Sequence, residues 1–321
     1  MGALMQLWRQ FLFAASMLLA LALPFSSFAG GTGGMEVVPL WHSHQWRGGP
    51  KGAATETARG FVKNVANPDI RAFLPEKPNG AGVLVMPGGG YKAISRRDEG
   101  YAAAKWLNER GYAAFVLTYR LPREGWDDGV IVSLQDAQRA IRVIRSMASR
   151  FGIKSERLGV LGFSAGGHLA GLTALRSGFR SYASVDEIDK LSAKPDWAAL
   201  IYPVITLKPP YQRSSTFKQM LDPSPSAEQM MKWSVETYVD HQAPPFLLVH
   251  ADDDPSVDVH HSRIMKKYCD AAKVPAELVE LPAGGHGFGM SRPGAPSFGW
   301  SAKLETWLKQ VDKPSSETAR L

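Results

Sequence analysis

The sequence predicts an α/β protein with a mostly parallel central sheet and helices on both faces. Three observations predict it. Short apolar runs recur along the chain, segments with apolar residues at helical spacing separate them, and several runs are apolar throughout rather than alternating. A strand that is apolar on both sides is one buried on both faces, and a helix between two strands allows the parallel crossover. The length of 321 residues suffices for one large domain, and 45% hydrophobic against 21% charged residues is a globular balance. No repeat of fixed period is visible.

The elements follow in order. "GVLVMP" (82–87) is a buried strand, and "DEGYAAAKWLNERG" (98–111) carries helical spacing after it. "YAAFVLTYRL" (112–121) is a second strand, followed by the helix "SLQDAQRAIRVIRSMASRFG" (133–152), which stops at a glycine. "RLGVLGF" (157–163) is a third strand, with the helix "AGGHLAGLTALRS" (165–177) directly behind it. "DWAALIYPVIT" (196–206), "PFLLVHA" (245–251) and "AELVELP" (276–282) add strands, and "SFGWSAKLETWLKQV" (297–311) closes with a helix. "VANPDIRAFLPEKP" (65–78) reads as an antiparallel edge strand ahead of the parallel series. Lys208–Pro244 interrupts the alternation and is expected as an insertion over the carboxyl edge of the sheet, where such sheets bind ligands.

The chain begins differently. Met1–Ala29 carries one charge, Arg9, then "FLFAASMLLALAL", then small residues at Ser27 and Ala29. That layout is a secretory signal peptide cleaved near Ala29, since the apolar run is short for a bilayer span. A secreted or periplasmic protein without stable membrane association is therefore expected. Residues 30–60 read as an exposed lead-in, 61–312 as the folded domain and 313–321 as a tail. The formal charge is +7, but the basic residues form no block, which disfavours nucleic acid as a partner. Cys269 is the only cysteine, so no internal disulfide is possible, and its helical setting suits a packed side chain.

The chemistry centres on Gly162-Phe163-Ser164-Ala165-Gly166, which lies between a predicted strand and a predicted helix. In that setting the serine hydroxyl projects above the sheet, and side chains at 162 and 166 would collide with backbone. A serine needs a base, and His286 in "LPAGGHGFG" follows the last predicted strand on a glycine loop. His42, His44, His168, His241, His250, His260 and His261 fit that role less well by position. The base needs a carboxylate, and "VHADDDPSVDVHHS" (249–262) offers Asp252, Asp253, Asp254 and Asp258. Asp254 is the choice, with its neighbours left open. A metal is disfavoured there, because adjacent carboxylates on a turn more often make a solvated loop. "VMPGGGY" (85–91) supplies amides for an oxyanion hole at Gly89 and Gly90, with Ala165 at the start of the nucleophile helix. No Gly-Lys-Ser/Thr follows those glycines, which argues against a nucleotide.

These residues resemble a known family. "MPGGGY" with "DEG", "YRL" (119–121), "DAQRAIRVIR" (136–145), "LGFSAGGHLA" (161–170), "VHADDDPSVDVHHS" and "GGHGFG" are similar to secreted α/β-hydrolases of the acetyl esterase and acetylxylan esterase type, relatives of the hormone-sensitive-lipase-like carboxylesterases. The likeness extends over about residues 60–310. It implies the α/β-hydrolase fold, with Ser164 as nucleophile, His286 as base and Asp254 as acid. The last stands four residues after His250, as the family's carboxylate does after its strand-ending histidine. It also implies hydrolysis of a short-chain ester, acetyl foremost, on a carbohydrate alcohol, with no cofactor. Two positions depart from the pattern. Pro87 stands where lipase-like relatives carry the histidine of H-G-G-G, and Asp258 where many carry proline. A peptidase of the prolyl-oligopeptidase type shares the fold, but residues 1–60 are too few for its propeller. A catalytically silent fold that binds polysaccharide or a partner is the remaining alternative.

Overall fold

The computed structural model describes residues 35–41 and 47–312. The expected signal peptide, His42, His44 and the expected tail 313–321 lie outside the described residues. Eight strands make the main sheet: β1 (Glu36–Pro39), β2 (Asp69–Phe73), β3 (Gly82–Met86), β4 (Ala113–Thr118), β5 (Leu158–Phe163), β6 (Ala198–Ile201), β7 (Phe246–Ala251) and β8 (Ala276–Leu281). Their spatial order is β1-β2-β4-β3-β5-β6-β7-β8. β2 pairs antiparallel with β1 and β4, and every other pairing is parallel. Thr55–Glu56, Phe61–Lys63 and Ile94–Ser95 form a separate small sheet.

Among the described residues seven α-helices accompany the strands: α1 (Ala102–Asn108), α2 (Val132–Ser146), α3 (Ala165–Leu175), α4 (Ser215–Met220), α5 (Ala227–Trp233), α6 (His260–Ala271) and α7 (Trp300–Val311). The uninterrupted apolar strands are explained by two cores. Leu84, Phe115, Val160, Leu200 and Leu248 pack toward α2, α3 and α6. Their sequence neighbours Val83, Val116, Leu161, Ile201 and Val249 pack on the opposite face with Leu107 of α1 and Trp300, Leu304 and Trp307 of α7. A period of two that is apolar at both phases needs a core on each face.

Two expectations are corrected. The antiparallel strand within 65–78 is not the edge, because β1 lies outside it. That β1 belongs to the stretch expected as an exposed lead-in, where Val38, Leu40 and Trp41 are buried. Trp41 is drawn inward because its Nε1 donates to Asp136 at 2.9 Å. Asp136 explains the "YRL" and "DAQRA" motifs. Its carboxylate also accepts from the Arg120 amide at 2.8 Å and from Arg120 Nη2 at 2.8 Å, with both side chains fully buried. Removing one member of such a pair leaves the other charge without compensation. Asp136→Ala is therefore expected to lower unfolding free energy by about 3–5 kcal/mol, read by urea denaturation.

Between β6 and β7, Lys208–Pro244 carries α4, α5 and the 3-10 turn Val235–Tyr238. Ser215, at the start of α4, donates to Gly90 O at 3.0 Å, which brings this segment to the glycine loop behind β3.

Candidate active site

The chain leaves β3 to one side for β4 and leaves β5 to the other side for β6, so the carboxyl ends of β3 and β5 face a topological switch point. The glycine loop follows β3 and Ser164 follows β5. Ser164 has φ 51° and ψ −118°, a strained conformation for a residue with a side chain. Backbone bonds hold it: its amide donates to Ile201 O at 2.9 Å, and its carbonyl accepts from His168 N at 3.1 Å. The neighbouring glycines are needed for contact. A Cβ on Gly166 would lie 2.0 Å from Met86 O, and one on Gly162 2.3 Å from Gly166 O.

Ser164 Oγ lies 2.8 Å from His286 Nε2, and His286 Nδ1 lies 2.7 Å from Asp254 Oδ2. This geometry assigns the tautomer: Nδ1–H donates to the carboxylate, and Nε2 accepts from the serine hydroxyl. Asp254 Oδ1 accepts from the amides of Ser256 and Val257, at 2.8 and 2.9 Å. Burial opposes its charge, but hydrogen bonds from His250 and His286, the charge of His286 and the Val257 amide hold the carboxyl below the usual carboxylate range.

The three adjacent aspartates have different partners. Asp252 pairs with Arg263 at the surface, 3.0 Å away. Asp253 Oδ1 accepts from the amides of Gly284 and Gly285 at 2.8 and 2.7 Å, tying down the loop that presents His286. Asp258 bonds locally to the His260 amide at 2.9 Å and to that residue's ring.

The amides of Gly89, Gly90 and Ala165, the three expected oxyanion donors, donate to no acceptor among the described residues. The Gly88 amide is taken by Glu99 Oε2 at 2.6 Å. A Cβ on Gly88 would lie 2.9 Å from Ser164 Cβ, so this loop runs directly beside the serine.

His168 packs and bonds locally, as its place in the helix suggests. Its Nε2 donates to Trp233 O at 2.7 Å, and its Nδ1 faces Tyr91 Oη at 3.0 Å. Burial lowers its pKa to about 4. The unfolded chain takes up this proton near pH 6.5, the folded protein only near 4. Stability from this group is therefore present above about 6.5 and lost as pH falls toward 4, by about 3 kcal/mol at most. His168→Asn is expected to flatten the fall in urea-unfolding free energy between pH 7 and 4.5. His261, lowered to about 3 by burial, contributes in the same direction.

The roles of four residues of the site escape sequence reasoning. His250, fully buried, directs Nε2 toward Asp254 Oδ2 at 3.3 Å and Val257 O at 2.8 Å, while Nδ1 meets Ser262 Oγ at 2.8 Å. Asp253, Glu99 and Tyr202 are the others. Their traces in the sequence are His250 at the end of its strand four residues before Asp254, Asp253 in the acidic run after β7, and the "DEG" behind the glycine loop. Cys269 is buried, and burial pushes its thiol up to about 12, in accord with a packed side chain.

The BD-FAE family matches residues 71–268, more than half of the chain. The chain belongs to the BD-FAE family. Relatives of this BD-FAE chain include an acetylxylan esterase of Xylanibacter ruminicola, 29% identical over 275 residues, covering 83% of this chain and 54% of that protein. An endo-1,4-beta-xylanase B of Butyrivibrio fibrisolvens is 32% identical over 250 residues, covering 77% of this chain and 38% of the other. The chain thus spans about half or less of the length of these two relatives. Among solved structures, an acetyl ester-xyloside bifunctional hydrolase from Caldicellulosiruptor lactoaceticus superposes with a TM-score of 0.70 at 31% identity, covering 86% of this chain and 96% of that one. An esterase from Thermogutta terrifontis, 21% identical with a TM-score of 0.63, covers 80% and 94% and shares the fold. The fold is that of the α/β-hydrolases.

Proposed function

We propose that this BD-FAE chain is a serine esterase that releases short acyl groups, acetyl foremost, from carbohydrate alcohols. One observation carries the reading: Asp254, His286 and Ser164 form an unbroken hydrogen-bonded series at 2.7 and 2.8 Å, with the serine on a strained strand-to-helix turn. Ser164 Oγ attacks the ester carbonyl while His286 Nε2 takes its proton. Asp254 steadies the imidazolium that results. The oxyanion of the tetrahedral intermediate meets the amides of Gly89, Gly90 and Ala165 at the start of α3, where the helix dipole favours negative charge. The intermediate collapses, His286 protonates the departing alcohol, and an acyl group remains on Ser164. Water, deprotonated by His286, then attacks the acyl-enzyme and frees the acid. The steps draw on side chains and backbone amides of this chain, with water as the second nucleophile.

The acetyl and carbohydrate preferences draw support from the relatives, whose names pair acetyl ester hydrolysis with xylan and xyloside. We propose export as well, from the layout of Met1–Ala29. No helix among the described residues is long and apolar enough to cross a membrane.

The test is a rate series on p-nitrophenyl esters of increasing acyl length together with acetylated xylan. Highest kcat/KM on acetyl, with acetate released from the polymer, is the expected result; a preference for long acyl chains would overturn it. Treatment with an organophosphonate is expected to place one covalent adduct on Ser164 by peptide mass mapping.

A further inference from the structure

One buried carboxylate near the site takes no part in the acyl transfer described above. Glu99 lies in the turn Arg96–Tyr101 ahead of α1 and is 6% exposed. Its Oε2 accepts from the Gly88 amide at 2.6 Å, and its Oε1 accepts from Tyr202 Oη at 2.9 Å. Tyr202 follows β6 with φ 40° and is fully buried. Its hydroxyl accepts from the Gly289 amide at 3.0 Å, three residues beyond His286. The Tyr202 ring stands edge-on to His286 at 4.9 Å and to Phe288 at 4.5 Å. Trp300 Nε1 fastens the same loop by donating to Gly289 O at 3.1 Å.

One carboxylate therefore bonds, directly or through a single hydroxyl, to the two loops that flank Ser164. Burying a carboxylate is costly, and a residue needed only to fill this space would be apolar. Three features of the placement give Glu99 a task. It engages the Gly88 amide, while the following Gly89 and Gly90 amides have no acceptor among the described residues. Its bond through Tyr202 sets the height of the His286 loop. Its charge is close enough to His286 for the two to attract each other. Burial raises the Glu99 carboxyl above its ordinary range, although Tyr202, the Gly88 amide and His286 work the other way.

We infer that Glu99 is a positioning residue for acyl transfer, acting with Tyr202 to fix the oxyanion loop and the base loop in register with Ser164. The inference rests on the esterase reading. The charged and titratable groups facing His286 are Asp254, Glu99 and Tyr202; those facing Glu99 are His286, Asp98, Tyr202 and Tyr119.

The experiment measures kcat, KM and the pH profile on p-nitrophenyl acetate for wild type, Glu99→Gln, Tyr202→Phe and the double variant, with thermal melts of each. Each single change is expected to lower kcat about tenfold with KM within about twofold, because a misplaced donor or base is felt in the transition state. The acid limb of kcat/KM in Glu99→Gln is expected to move to lower pH, because the attraction between the Glu99 carboxylate and a charged His286 is lost. A residue that merely fills the core would not move that limb. The double variant is expected to lie within about twofold of the slower single variant, whereas independent residues would multiply to about a hundredfold. Wild-type kcat and an unmoved acid limb in a folded Glu99→Gln would overturn the inference. If Glu99→Gln does not fold, Tyr202→Phe decides: it keeps the ring and loses the hydroxyl, and wild-type kcat in it overturns the inference. Wild-type protein without ester cleavage or a Ser164 adduct would remove the esterase reading, and this inference with it.

Discussion

Ser164→Ala is expected to reduce kcat on p-nitrophenyl acetate by at least about 10⁴-fold, leaving only what binding and the amides of the glycine loop supply. The fold is expected to survive. Among the described residues the Ser164 hydroxyl hydrogen-bonds to His286 alone, while the strained backbone is held by bonds to its own amide and carbonyl, which alanine keeps. Unfolding free energy within about 0.5 kcal/mol of wild type is the corresponding stability result. Far-UV circular dichroism and urea denaturation separate loss of chemistry from loss of structure. Substantial residual turnover by a folded Ser164→Ala protein would show that another group is the nucleophile.

The second large effect divides three adjacent aspartates. Asp254→Asn is expected to cost about 10⁴-fold in kcat, because an amide cannot stabilise the imidazolium and favours the wrong tautomer of His286. Asp253 acts on the same histidine by another route. Its carboxylate holds the Gly284 and Gly285 amides, so Asp253→Ala is expected to loosen the loop and lower kcat about ten- to a hundredfold. Asp253→Asn keeps an accepting oxygen and is expected to recover most of that loss. Asp252→Asn breaks only a surface pair with Arg263, and activity within about twofold of wild type is expected. Steady-state kinetics on the four variants checks the order. Equal losses at 252, 253 and 254 would contradict the distinct roles drawn from the geometry.

The fold was legible because its strands have a simple cause. A run such as "GVLVMP" must be apolar at both phases when a core lies on each face, and no amphipathic helix mimics that over so short a length. The turn around Ser164 was legible for a related reason: a strand, a serine between glycines and a helix follow one another without a gap. β1 was missed because "EVVP" is four residues in a Gly- and Pro-rich stretch. Its place at the edge is set by pairing with β2 and by the bond from Trp41 to Asp136, nearly a hundred residues away. Glu99 and Tyr202 were missed for the same physical cause. Glu99 sits in "DEGYAAAKWLNERG", whose helical spacing names no partner for it, and Tyr202 lies within the expected strand 196–206 as an ordinary aromatic.

The sequence by itself determined the alternation of strands and helices, the serine turn, and the order serine, carboxylate, histidine along the chain. Those are local patterns, written in residues a few positions apart. Only the tertiary structure decided which aspartate meets His286, which carboxylate the glycine loop leans on, and which strand forms the edge. Each of these depends on hydrogen bonds between segments tens to a hundred residues apart, and local spacing carries no record of them.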